Sequence, residues 1–206
     1  TLREPHGVTA HIVPWNYPMQ IAGRCIGGAL AMGNTCVLKP SEDACLSLLL
    51  FARIAEEAGL PKGVLNVVPG YGAEAGAALT AHTGVQHISF TGSVGVGKMV
   101  QKAAGENIVP VTLELGGKSP QIVFDDADIE AALPFLMGGG IHNAGQTCSA
   151  GTRIVAQRGI YEKLIAAMTE RYEALEVGPA SDDLDVGPLV SEKQKNTVND
   201  YIKYGV

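Results

Sequence analysis

Between Gly7 and Leu115 the chain alternates short runs rich in branched apolar residues with longer amphipathic runs. Strands covered on both faces read as continuous apolar runs, and the helices that cross between them read as amphipathic, so the alternation calls for an α/β fold built on a parallel sheet. Strands are predicted at 7–13, 35–38, 64–68, 87–90 and 111–115. Helices are predicted at 20–32, packed closely through Gly27-Gly28, and at 43–58, stopped by Gly59 and Pro61. In the second of these, Leu46, Leu49, Leu50 and Ile54 supply an apolar stripe at helical spacing. A small-residue helix is expected from Gly72 to about Ala81, and another from the turn Thr91-Gly92-Ser93 through Ala104.

Beyond Leu115 the chain turns at Gly116-Gly117, and strands are predicted at 121–124 and 153–156, with a helix at 161–173. Asp126-Ala127-Asp128 caps a helix beginning near Ile129 that ends or bends at Gly138-Gly139-Gly140. The stretch from Glu192 to Val206 reads as a helix.

Composition narrows the function classes. With 46% hydrophobic and 17% charged residues over 206 positions, the chain has the apolar content for a substantial core. A formal net charge of −6 and the lack of any Lys/Arg run argue against a surface that tracks nucleic-acid phosphates. No apolar stretch approaches the roughly 20 residues a membrane helix needs. Cys25, Cys36, Cys45 and Cys148 match no zinc or redox spacing, so no metal is expected and a reduced, cytoplasmic compartment is the simplest reading. The first residues show no basic start and apolar middle, and nothing points to secretion.

Five motifs carry potential chemistry. Gly145-Gln146-Thr147-Cys148 offers a thiol nucleophile, Leu113-Glu114-Leu115-Gly116-Gly117-Lys118 a base, and Pro14-Trp15-Asn16-Tyr17-Pro18 an amide donor. The leucines flanking Glu114 predict a desolvated setting, which would suit a general base. Phe90-Thr91-Gly92-Ser93-Val94-Gly95-Val96-Gly97 has the layout of a strand, a glycine-rich turn and a helix N-terminus that can receive phosphate. Its glycine order is not the usual dinucleotide fingerprint, and taken alone it reads as a tight connection without ligand. Lys39-Pro40-Ser41-Glu42 follows a predicted strand, where open parallel sheets bind ligands, and pairs an ammonium with a carboxylate. Taken alone, that segment also reads as a solvated loop with an incidental ion pair.

In this order and near this spacing, the five motifs resemble those of the aldehyde dehydrogenase superfamily, and the resemblance runs from about Gly7 to the end, including Gly187-Pro188-Leu189-Val190 and Gln194. It implies a Rossmann-like parallel-sheet NAD(P)-binding domain over 1–115 and the first part of an α/β catalytic domain over 116–206. It further implies Cys148 as nucleophile, Glu114 as base for hydrolysis of a thioester, Asn16 with the Cys148 backbone N–H as oxyanion donors, and Lys118 as a further catalytic residue. Glu114 favours hydrolysis over transfer to CoA. By the same resemblance Lys39 and Glu42 meet the adenosine ribose, Ser93 the pyrophosphate, Val13 and Trp15 the wall of the site and Gly72 the adenine. Leu115 and Gly116 lie by the nicotinamide, with Gln194 among the cofactor residues. An acid at Glu42 accepts from a ribose 2′-hydroxyl and repels a 2′-phosphate, so NAD is preferred over NADP. His142 is read as structural.

The expected reaction is therefore NAD(P)-dependent oxidation of a small-molecule aldehyde to a carboxylic acid through a cysteine thiohemiacetal and thioester. Members of the family are longer, and the chain, which opens on Thr1, is read as a fragment of a homodimeric or homotetrameric parent. The family's Glu-x-Phe-Gly-Pro motif, whose glutamate holds the nicotinamide ribose, does not occur in it. The alternative is a non-catalytic dinucleotide-binding or structural fragment of such an enzyme; thiol acyl transfer would account less well for Lys39, Glu42 and Ser93 together.

Overall fold

A computed structural model describes residues 1–205, so Val206, the last residue of the second expected domain, lies outside the described residues. The chain divides into two packed units, Thr1–Gly116 and Gly117–Val206.

The first unit is a five-stranded parallel sheet: β1 (Val8–Ile12), β2 (Thr35–Lys39), β3 (Leu65–Val67), β4 (His87–Gly92) and β5 (Val111–Leu115), in the order β3-β2-β1-β4-β5. Parallel neighbours need crossovers, which α1 (Pro18–Ala31), α2 (Leu46–Glu57), α3 (Ala77–Thr80) and α4 (Val94–Glu106) provide in turn. Period-2 alternation splits β1 between two cores. Ala10 and Ile12 join Ile88, Phe90, Val100 and Ala104 beneath α4, whereas Val13, just past the strand, joins Ile21, Ile26, Cys36, Leu38 and Leu48 beneath α1 and α2.

Two expectations for this unit are corrected. Leu46, Leu49, Leu50 and Ile54 are exposed, and α2 instead packs through Leu48 and Phe51. Apolar residues crowd the first half of α2, so more than one stripe is compatible with the sequence, and the crossover geometry selects which meets the sheet. Gly27 and Gly28 make no close approach, since a Cβ built at either meets nothing within 4 Å. The small-residue helix runs from Gly72 to Thr80, opening as a π-helical turn, Gly72–Gly76, that continues directly into the single turn of α3. Gly70, at φ +152, lets the chain fold back there, because a Cβ would sit 2.9 Å from that of Ala75.

The second unit pairs β6 (Pro120–Val123) with β7 (Arg153–Ala156) in parallel, joined across α5 (Ile129–Ile141) and followed by α6 (Tyr161–Glu173) and α7 (Glu192–Gly205). Asp128 caps α5 by accepting the Ala131 N–H at 3.2 Å, and the helix runs through Gly138-Gly139-Gly140 to Ile141. Its core gathers Val123, Leu136, Ile160 and Leu164.

One buried polar group on β1 makes the first unit sensitive to acid. The Thr9 hydroxyl donates to the Thr35 carbonyl at 3.0 Å, so the His11 Nε2–H donates to Thr9 Oγ1 at 2.8 Å. Nδ1 of His11 is then a buried acceptor with no partner among the described residues. Burial, and secondarily the charge of His87, lowers the His11 pKa to about 4; burial, then His6, lowers that of His87. The unfolded chain therefore binds protons that the folded chain refuses, and stability falls as pH drops from the ordinary value of 6.5 toward about 4. At roughly 1.4 kcal/mol per pH unit, His11 contributes about 3 kcal/mol to that loss. Denaturant unfolding followed through Trp15, the single tryptophan and a member of this unit, will show this slope, and His11→Gln will flatten it.

Candidate active site

Because the five strands run parallel, the loops leaving them emerge at one edge of the sheet. The strand order reverses at β1: the chain steps outward through β2 and β3, then returns to β4 on the far side of β1. Such a reversal opens a crevice between diverging crossovers, where open α/β sheets place ligands. The loops flanking it are Pro14-Trp15-Asn16, after β1, and Gly92-Ser93, after β4. Pro18 opens α1 at its first turn, and Trp15 and Asn16 are half-buried before it. Val13 is anchored rather than presented: its N–H donates to the Lys39 carbonyl at 3.1 Å and its side chain lies in the core.

At the end of β2, Lys39 is only 3% exposed, and its Nζ donates to Glu42 Oε2 at 3.2 Å. Glu42 is 42% exposed, so the pair joins a sheltered cation to a carboxylate with an open face. Ser41 holds the turn by accepting the Asp43 N–H. At the end of β4, Ser93 caps α4 by accepting the Val96 N–H at 3.4 Å. The glycines of this loop divide their duties. A Cβ at Gly97 would lie 2.6 Å from Leu115 Cδ2, so that glycine allows α4 to press on β5, while Gly95 faces open space. Gly72 is exposed at the start of the π-helical turn.

Glu114 pairs in register with Thr91, and Leu115 with Gly92, which places the base candidate on the strand beside β4. The desolvated setting predicted for Glu114 is corrected: Leu113 and Leu115 pack on the core beneath α4, so alternation turns Thr112 and Glu114 to the other face, where both are exposed. Gly116 is exposed at the end of the unit.

The second unit carries Cys148 on an exposed turn. Asn143 (φ 53), Ala144 (φ 55) and Gly145 (φ 73) run left-handed just before it. For non-glycine residues this conformation costs on the order of 1–3 kcal/mol each, and it persists only where surroundings over-determine it. Here Gln146 donates from both its backbone N and Nε2 to the Asn143 carbonyl, at 3.1 and 3.0 Å, and its Oε1 accepts the Val190 N–H at 3.0 Å. The last contact ties Gly187-Pro188-Leu189-Val190 to the nucleophile motif. Lys118 donates to the Gly117 carbonyl, and a Cβ at Gly117 would lie 3.9 Å from the Cys148 carbonyl, so this turn runs beside the thiol's main chain. Gln194 sits in the first turn of α7, its N–H donating to Ser191 Oγ. His142 accepts the Thr147 hydroxyl through its carbonyl.

Two features of this loop lie outside what the motifs announce. The left-handed turn had a signal in Asn-Ala-Gly, since Asn and Gly enter that region most readily. Gln121, which binds the loop from β6, carried none.

Burial separates the thiols chemically. It pushes the Cys25 pKa up to about 11 and raises that of Cys36, while Cys148 is exposed. Since the thiolate is the reactive form, iodoacetamide will alkylate Cys148 first in the native protein, and Cys25 and Cys36 will react at that rate only after unfolding. Peptide mass mapping against time will establish the order.

Comparison with known proteins identifies the family. The aldehyde dehydrogenase family model matches residues 1–206. Hydroxyisobutyraldehyde dehydrogenase of Mycolicibacterium austroafricanum is 49% identical over 206 residues, which cover the whole chain and 41% of that protein. A solved Burkholderia cenocepacia structure described as an aldehyde dehydrogenase superposes with a TM-score of 0.96 at 61% identity, over 98% of this chain and 43% of that one. Betaine aldehyde dehydrogenase of Staphylococcus aureus, solved in complex with NAD+, superposes at 0.94 with 41% identity, over 97% and 40%. The chain thus spans about two fifths of the length of these relatives. Matched from its first residue to its last, the chain belongs to the aldehyde dehydrogenase family.

Proposed function

We propose that the protein carrying this chain is an NAD(P)-dependent aldehyde dehydrogenase that oxidises an aldehyde to a carboxylic acid, with NAD preferred over NADP. In this reading Thr1–Gly116 is the cofactor domain and Gly117–Val206 the start of the catalytic domain. What carries it is the single sheet edge that gathers the Trp15-Asn16 loop, the Lys39–Glu42 pair, Ser93 and the Leu115-Gly116 turn. The complex of the Staphylococcus aureus betaine aldehyde dehydrogenase with NAD+ supports the choice of cofactor. The reading extends to a cytoplasmic homodimer or homotetramer.

The residues at that edge fit a dinucleotide. A sheltered Lys39 ammonium can donate to ribose hydroxyls while the open face of Glu42 accepts from them. The N-terminus of α4, capped by Ser93 and open at Gly95, suits a pyrophosphate. Trp15, Gly72, Leu115, Gly116, Gln194 and the main chain at Val13 complete the proposed cofactor contacts. When bound, NAD supplies the hydride acceptor for the oxidation.

The chain's own residues perform the remaining chemistry. The Cys148 thiolate attacks the aldehyde carbon, and the side-chain amide of Asn16 and the Cys148 backbone N–H donate to the oxygen as it gains charge. Lys118 holds the Gly117 turn that runs beside the nucleophile. After oxidation a thioester joins the acyl group to Cys148 Sγ. Glu114, exposed to water on β5, takes a proton from the attacking water, and cleavage returns the thiolate and releases the acid.

The test is NADH formation by the full-length protein with a panel of aliphatic and aromatic aldehydes, with the 206-residue chain assayed in parallel. Cys148→Ala will abolish NADH formation, and turnover independent of Cys148 would overturn the reading. Glu114→Gln will lower steady-state kcat by roughly a hundredfold or more and accumulate an acyl adduct on Cys148 visible by intact mass. Glu42→Gln will raise kcat/KM for NADP relative to NAD, because it removes the charge that repels a 2′-phosphate.

A further inference from the structure

Nothing in the chemistry above uses Gln121, a half-buried residue on β6 whose carboxamide is committed on both N–H groups. Its Nε2 donates to the Leu136 carbonyl on α5 at 2.8 Å and to the Gly151 carbonyl at 2.6 Å. Both partners are carbonyl oxygens, which assigns the amide nitrogen rather than the oxygen to that side. The fit is close. A Cβ at Gly151 would lie 2.7 Å from Gln121 Cδ and Cγ, and one at Gly139 3.2 Å from Oε1. The Gly151 N–H in turn donates to the Gly139 carbonyl at 2.8 Å. A single side chain therefore links β6, α5 and the segment that leaves the nucleophile turn.

Gly151 lies three residues beyond Cys148, and the Ala150 N–H closes a turn over Cys148 by donating to the Thr147 carbonyl at 3.2 Å. Upstream, the left-handed residues 143–145 and the Gln146 contacts set where the turn begins. Downstream, its position is set at Gly151. Cys148 itself is exposed, so Sγ takes its position from the main chain between these two anchors.

We propose that Gln121 is a positioning residue for Cys148, fixing the downstream end of the nucleophile turn through its paired hydrogen bonds to Leu136 and Gly151. The inference rests on the reading of Cys148 as nucleophile. A displacement of about 1 Å in a reacting atom costs on the order of a hundredfold in rate, and strand, helix and turn are coupled here through one amide. Gln121→Met keeps the length and removes both donors. Gln121→Glu keeps the shape and sets a carboxylate against two carbonyls until it is protonated.

The experiment uses the full-length protein and its Cys148→Ala, Gln121→Met and Gln121→Glu variants. It reads kcat, KM for NAD, the pH profile of Cys148 alkylation, and thermal unfolding. Gln121→Met is expected to remain folded, to lose roughly ten- to hundredfold in kcat with little change in KM for NAD, and to alkylate with an altered pH profile. For Gln121→Glu, the alkylation rate relative to wild type is expected to recover as pH falls, because the protonated carboxyl regains one donor. Folded Gln121 variants with wild-type kcat and alkylation would overturn the proposal. So would a loss of kcat matched by a loss of folded protein, with the remaining fraction alkylating as wild type does. If Cys148→Ala keeps its turnover, the nucleophile reading fails first; if it is inactive while the Gln121 variants behave as wild type, only the positioning role fails.

Discussion

Parallel pairing of β1 with both β2 and β4 is the constraint on which the first unit depends. It makes β1 the innermost strand, covered by α4 on one face and by α1 and α2 on the other. A slip of one residue would turn Ala10 and Ile12 away from α4 and send His11 into their place. The same pairing sends every strand's carboxyl end to one edge. Residues separated by a hundred positions in the chain, Asn16 and Gly116, thereby come to a common border of the sheet. Lys39 shows the energetic side of this arrangement: a lysine side chain only 3% exposed is accommodated because Glu42, three residues on, accepts a hydrogen bond from its Nζ.

The second unit presents its reactive group by another route. Cys148 rides on a turn between α5 and β7 whose entry is strained at Asn143 and Ala144. The hydrogen bonds of Gln146 to the Asn143 carbonyl oppose that strain, and Gln121 holds the segment downstream at Gly151. Cys148 is exposed, and an exposed side chain on a loop has few contacts of its own. Its precision then comes from carbonyls and amides on either side. Cys25 and Cys36 are the converse case, raised in pKa by burial and thereby kept as unreactive packing.

The candidate site was largely legible because its parts lie within short motifs placed at strand ends. Lys39 and Glu42 are three residues apart, so one turn brings them together whatever the rest of the chain does. The leucines flanking Glu114 do not bury it, because on a strand neighbours point to opposite faces. Gln121 was invisible because its partners, Leu136 and Gly151, are main-chain carbonyls 15 and 30 residues away. Main-chain groups are the same at every residue, so no side-chain pattern announces which of them a distant amide will reach.

Local periodicity and motif spacing determined by themselves the α/β class and the strand positions, because each depends on neighbours within a few turns of chain. Only the tertiary structure decided that α2 packs through Leu48 and Phe51 and leaves Leu46, Leu50 and Ile54 exposed, that Glu114 faces outward, and that Gly97 rather than Gly95 meets Leu115. These outcomes depend on which of several competing faces or glycines lies against a distant element. That choice is made by the packing of whole elements, whose energies are summed over contacts far apart in the chain.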